Sequence, residues 1–278
     1  GFTLGTEFEY FDDFFLGMGV NSYYESIKTD STASSQQKKL KGNYFDNFLS
    51  LNFDYDKRNQ KFQTTQGFRN YFATDLPIVS ETNTLSNTFI ISSYIEYIDN
   101  HVLKSSFYFK NSNSISGDNI KLSERLYLPS NRLRGFESGK IGPKDGNDFI
   151  GGNYISSLNF SSDVPKLLEN SQTTDLKIFL DIANVWGVDY DASLEKSDDI
   201  KSAVGIGLDW FSPIGPMNFT LSQHLSKGSN DVTESFRFNL RAYINKKFKD
   251  ILIIILSILP SILIIFFFFG SVRVLLCR

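Results

Sequence analysis

Among 278 residues there are one Cys, two His, two Met and two Trp. A lone Cys277 excludes a disulfide framework, and with only His101 and His224 beside it there is no Cys/His zinc site. A hydrolytic triad has almost no material, so the sequence reads as a non-enzyme with no metal and no cofactor. Charge of one sign is also missing: 28 Lys+Arg stand against 31 Asp+Glu, a net charge of −3, without the excess of positive charge that nucleic-acid binders carry. The chain opens on Gly1, already inside an alternating apolar pattern, and no charged stretch followed by an apolar one marks an export signal near it. It reads as the C-terminal part of a longer protein. What is abundant is Phe, 27 residues, and Tyr, 13, which suit strands better than helices.

From Phe2 to Tyr243 the dominant spacing is period 2, which puts successive side chains on opposite faces of a strand. In 45–56 the odd positions include Phe45, Leu49, Leu51, Phe53 and Tyr55, and the even ones Asp46, Ser50, Asn52, Asp54 and Asp56. The same alternation recurs along the chain, as in Phe89, Ile91 and Ile95, in Leu176, Ile178, Leu180 and Ile182, and in Phe236, Phe238 and Leu240. About eleven such segments of roughly ten residues are the length a tilted strand needs to cross a bilayer, and longer than the strands of a soluble sandwich. Tyr10, Tyr55, Tyr71, Tyr97 and Trp186 sit at segment ends, as interfacial girdles do. The expected fold is all-β, a transmembrane antiparallel β-barrel.

Connections should alternate short and long. We expect short ones at 11–13, 57–60, 99–100 and 211–215, long ones at 26–43, 75–87, 111–149, 187–201 and 226–234, and an intermediate one at 162–175. In an outer-membrane barrel the long set lies outside, which orients the chain. Residues 1–243 form the barrel portion, with 112–149 a lumen-folded loop. Residues 244–278 break the pattern: 251–269 is an apolar run interrupted only by Ser257, Pro260 and Ser261, long enough for a transmembrane helix. Its abrupt loss of period 2 reads as a read-through or frame-shifted end.

The long connection contains Leu133, Arg134, Gly135 and Phe136, then Ile141, Gly142 and Pro143. An Arg-Gly-Phe alone is weak, and Arg134 alone reads as a solvated loop arginine. It is followed, in order, by Phe179-x-Asp181-x-x-Asn184-Val185-Trp186, by a segment with Gly205, Gly207, Trp210, Ser212, Pro213, Gly215 and Pro216, and by a last strand with Phe236, Arg237, Phe238, Asn239 and Leu240. Over Gly1 to about Leu240 these motifs resemble the C-terminal barrel of the BamA family of outer-membrane protein assembly factors. The resemblance implies a sixteen-stranded barrel whose sixth outer loop turns back into the lumen with its Arg-Gly-Phe, and periplasmic POTRA domains upstream. Counted back from Phe236, the long connection falls where that family has its sixth loop.

A cation inside a lumen needs a carboxylate on the inward face. Asp181 has that parity, because Ile178, Leu180 and Ile182 take the other face, so we expect Arg134 to pair with Asp181. A second acid that holds this arginine in the family is matched here by Asn159, which brings no charge. Gly142 and Pro143 read as turn chemistry, and Phe136 as a packing anchor or a girdle aromatic.

The resemblance implies a bacterial outer-membrane location and a non-enzymatic mechanism. The seam beside the last strand, Phe236, Phe238, Asn239 and Leu240, opens, and unfolded β-barrel clients pair with its edge, with accessory lipoproteins and outer-membrane lipids as further partners and no nucleic acid. Alternatives are a TamA-like or two-partner-secretion translocation barrel, a passive porin, and an outer-membrane phospholipase.

Overall fold

The computed structural model describes residues 1–61, 63–99, 101–117, 119–164, 173–189, 194, 199–212 and 215–240. The apolar run at 251–269, with the rest of 244–278, lies outside them. The strands are β1 (Phe2–Phe11), β2 (Phe14–Ile27), β3 (Gly42–Asp56), β4 (Gly67–Ser80), β5 (Thr84–Ile98), β6 (His101–Ser114), the short pair β7 (Lys144–Asp145) and β8 (Asp148–Phe149), β9 (Tyr154–Asp163), β10 (Thr174–Trp186), β11 (Lys201–Ser212), β12 (Gly215–Ser226) and β13 (Phe236–Leu240). One short helix, α1 (Ser35–Lys39), is capped by the Ser34 hydroxyl, which accepts from the Gln37 N–H at 3.1 Å.

Eleven strands form one sheet in the order β1-β2-β3-β4-β5-β6-β9-β10-β11-β12-β13, and β7 pairs only with β8. The ladders from β1 to β6 and from β6 through β9 and β10 to β11 are antiparallel, and among the described residues the sheet ends at β1 and β13. The chain divides into two compact units, Gly1–Trp210 with Asn218–Asn239, and Phe211–Met217 with Leu240–Arg278. Of the second, the described residues are 211–212, 215–217 and 240, and there the Ser212 hydroxyl donates to the Gly215 carbonyl at 2.6 Å.

Register sorts the side chains into two chemically opposite faces. Met18 lies opposite Leu51, Phe53 opposite Phe72, Phe89 opposite Phe109 and Phe107 opposite Leu158, all on one face. That outer face is exposed although it is apolar; Ile178, for example, is 52% accessible. The alternate positions carry the polar residues: Asp54 and Arg69 pair at 2.7 Å, and Lys177 with Asp209 at 2.5 Å. An exposed apolar face this continuous needs a nonaqueous partner, and strands of ten to fifteen residues match a bilayer crossing.

The connections correct the expected rhythm. β4 and β5 extend until only 81–83 separates them, so the long loop at 75–87 does not exist. Pro77 sits on β4 where the register shifts at Asn47/Phe48, an irregularity that accommodates a residue with no N–H to give the ladder. Conversely, the connection expected at 57–60 runs from 57 to 66. β6 continues through Ser114, paired with Thr84, and β9 begins only at Tyr154, so the inserted loop is 115–153 rather than 112–149. The ladders of β4, β5 and β6 outlast the regular alternation, which is broken at Pro77 on β4 and gives way to polar residues on both faces at the end of β6, so that it stops marking the strand.

Candidate functional site: the inserted loop and its wall

Loop 115–153 packs on the polar face of the sheet. Its apolar residues Leu126, Leu128, Leu133, Phe136 and Ile141 form one buried cluster with Tyr108, Ile155, Ala183, Val185 and Ala203 from β6, β9, β10 and β11. Burying Phe136, which is 2% exposed, contributes about 2–3 kcal/mol toward holding the loop. Phe136 is thus a packing residue rather than a girdle aromatic.

At the centre of this contact is Arg134. Its Nε donates to Asp181 Oδ2 at 2.7 Å and its Nη2 to Asp181 Oδ1 at 2.8 Å, and the Arg134 backbone N–H adds a third bond to the same carboxylate at 3.0 Å. Asp181 is fully buried in the middle of β10. The fork is planar and bidentate, the strongest form of such a pair. The guanidinium also lies 3.4 Å from the centre of the Phe179 ring. That ring occupies space left by Gly205 on β11, where a Cβ would come 2.6 Å from Phe179 Cζ.

Asn159 does not reach Arg134. Its amide nitrogen donates instead to Asp181 Oδ1 at 2.8 Å and to the Arg132 carbonyl at 2.7 Å. The reason is chemical: the Asn NH2 is a donor and fits the carboxylate, which a second acid in its place would repel. Arg132 turns away to the β6 wall, donating to the Ser106 hydroxyl at 2.9 Å with its guanidinium 4.8 Å from the Tyr108 ring centre. Burial lowers its pKa below the usual arginine value.

Two glycines of the motif have backbone roles. Gly135 has φ +89°, and a Cβ on it would lie 3.0 Å from Ala203 Cβ. Gly142 has φ +91°, and its Cβ would lie 2.9 Å from Val185 Cβ. Both let the loop backbone lie directly on β10 and β11. Leu133, Ile141 and Pro143 are buried alongside them.

Sequence reasoning missed a second anchor nearer the start of the loop. Lys121 is fully buried and forms ion pairs with Asp46 on β3, with Glu124 at 3.3 Å and with Glu25 on β2 at 3.5 Å. Its ammonium also stands 4.9 Å from the Tyr44 ring and 5.4 Å from the Tyr23 ring. Burial opposes its charge, but the Asp46 hydrogen bond leads the effects that leave its pKa raised. Glu124 is raised too, by burial against the Thr84 hydroxyl and Lys121. The even parity of Asp46 placed it on the inner face; nothing in the sequence pointed to Lys121 as its partner.

The third anchor is the connection 227–235. Glu137 N–H donates to the Val232 carbonyl at 2.9 Å, Val232 N–H to the Lys140 carbonyl at 3.0 Å, and Glu234 N–H to the Gly135 carbonyl at 3.1 Å. Buried Asp231 accepts from the Gly142 N–H at 3.1 Å. Of the expected seam residues, Phe236, Phe238 and Leu240 are exposed on the edge strand β13, where the Phe238 ring lies 4.9 Å from Phe219. The site is therefore an interlock built from main-chain bonds and ion pairs.

Comparison of the chain with known proteins points to one superfamily. The Omp85 superfamily domain matches residues 1–241. An outer membrane protein assembly factor BamA from Neorickettsia risticii is 25% identical over 237 residues, covering 82% of this chain. The protein of the same name from Nitratidesulfovibrio vulgaris is 26% identical over 263 residues, covering 83%. The chain spans 32% of the length of each of these two relatives. The crystal structure of BamA from Haemophilus ducreyi lacking POTRA domains 1–3 superposes with a TM-score of 0.72 at 22% identity, over 85% of this chain and 52% of that one, which shows a shared fold.

Proposed function

Since the chain belongs to the Omp85 superfamily and carries a β-barrel sheet of the bacterial outer membrane, we propose that it is the loop-bearing and seam-bearing part of an outer-membrane protein assembly factor. The observation that carries this reading is the loop held on the inner face by the Arg134–Asp181 fork, with an edge strand at one end of the same sheet. The docked loop braces β10 and β11, and β13, the last strand of the sheet among the described residues, offers the main-chain donors and acceptors of its outer edge. An unfolded client strand of alternating polarity pairs with that edge by β-augmentation, so backbone hydrogen bonds supply the affinity and sequence matters little. Exposed Phe236 and Phe238 keep the edge at the lipid surface where the client strand must finish. Accessory lipoproteins and upstream domains deliver the client, and no nucleophile or cofactor takes part.

The test is reconstitution of the full-length protein containing this chain in lipid vesicles with an urea-unfolded outer-membrane barrel as client. Protease-protected client measures folding. Arg134→Ala removes a charge-assisted fork worth roughly 1.5–3 kcal/mol, so folding should slow by about tenfold or more. Client folding no faster than in protein-free vesicles overturns the reading.

A further inference from the structure

The last strand, β13, has five residues and, among the described residues, one ladder neighbour, β12. So short an edge would be expected to fray. A side chain on its inner face adds a hold that the ladder does not provide. Between outward Phe236 and Phe238, Arg237 turns toward the loop. Its Nη1 donates to the Ser130 carbonyl at 2.6 Å, its Nη2 donates to the Phe136 carbonyl at 2.5 Å, and its Nε forms an ion pair with Glu234. The guanidinium side chain is 13% exposed.

The two carbonyls gripped by Arg237 bracket the segment 130–136, and that segment carries Arg134. Two arginine forks therefore act on one short piece of loop in opposite senses. Arg134 reaches from the loop to the carboxylate of β10; Arg237 reaches from β13 to the loop main chain. The three backbone bonds between 135–140 and 232–234 run beside them. A lysine could not reproduce this contact, because one ammonium cannot span carbonyls six residues apart as a rigid fork does. A purely solvating role for Arg237 would point it to water, whereas its donors are directed at main-chain acceptors.

We propose that Arg237 is a positioning residue that couples the Arg-Gly-Phe loop to the last strand, so that release of Arg134 from Asp181 is transmitted to the β13 edge. The proposal rests on the reading of β13 as the seam strand. With both forks closed, β13 is held in place on the sheet as a template for an incoming strand; with either open, it frays.

The experiment is hydrogen exchange of the full-length protein in lipid nanodiscs, followed at 130–136 and 236–239, in the wild type and in R134A, R237A, R237K and the R134A/R237A double variant. R134A should raise exchange at 236–239 by about tenfold while Arg237 is present, and by less than about twofold in the R237A background. R237K should behave as R237A, and E234Q, which leaves both carbonyl contacts, should keep the transmission. Independent, multiplicative effects of R134A and R237A, or full transmission in R237K, overturn the proposal. If R237A fails to insert, the R237K pair of measurements gives the same answer. Client folding on the same samples separates the two ideas. Intact transmission without client folding sinks the seam reading alone, and client folding without transmission sinks the coupling alone.

Discussion

At the scale of single residues the most demanding group is Lys121, an ammonium with no exposed surface. Such a charge is tolerable only because Asp46, Glu25 and Glu124 surround it, and removing Asp46, the partner that is itself fully buried, leaves the ammonium with two longer contacts at a cost of about 1–3 kcal/mol. Asp46→Ala should therefore free the start of the loop, read as lost amide protection at 119–128, while the Arg134–Asp181 contact persists. Unchanged protection would mean that the apolar cluster alone holds the loop. Glu124 adds a pH dependence. Its folded pKa lies above the ordinary carboxylate value, so the folded loop retains a proton that the undocked loop gives up. Its contribution is thus complete below the ordinary value and is lost as pH rises through the raised one. The charged and titratable groups beside it are Lys121, Asp46 and Tyr23. Protection factors at 119–128, corrected for intrinsic exchange, should fall across that window in the wild type and less so in Glu124→Gln; equal slopes would assign the effect to another group.

At the scale of elements, the loop and strand β11 meet so closely that a methyl group is too much. Gly135→Ala adds a Cβ 3.0 Å from Ala203 Cβ at φ +89°, costing roughly 1–2 kcal/mol for the backbone alone and more for the crowding. Pairing it with Ala203→Gly should recover only the crowding part of the lost loop protection. Full recovery would show that the left-handed backbone costs nothing here. The elements also show where sequence is legible. Asp181 could be matched to Arg134 because parity along β10 gives a face without knowledge of the fold. Asn159 was placed on the right wall by the same rule, yet its partner was not, since donor direction depends on atoms and not on parity. The ends of β4, β5 and β6 were misplaced for a different reason. Hydrophobic alternation is broken by Pro77 on β4 and fades into polar residues at the start of β5 and the end of β6, while the hydrogen-bonded ladder continues through Ser80, Thr84 and Ser114. Lys121, Asp231 and Arg237 escaped because each acts across more than 70 residues of sequence, on partners that only the sheet brings near.

At the scale of the whole molecule the sheet is inside out by the standard of a water-soluble protein. Its ion pairs and hydroxyls, such as Asp54–Arg69 and Ser92–Ser106, line the face covered by the loop, and its large apolar side chains stand on the open face. In water, replacing a half-exposed isoleucine by lysine changes stability little. In a bilayer the same change depends on depth, costing about 2–4 kcal/mol for lysine at the midplane and about 0–1 near the interface. β5 offers both positions on one face. Ile91 lies mid-strand at 51% exposure, and Ile95 lies two repeats of the pleat toward the end at 55%. Chemical unfolding of the full-length protein from lipid vesicles should therefore show Ile91→Lys as the more destabilised of the two. Exposure is nearly equal at the two sites, so a difference can only report the surrounding medium. Equal and negligible costs would require the apolar face to be covered by protein or water, and would remove the membrane from the argument for the edge strand as well.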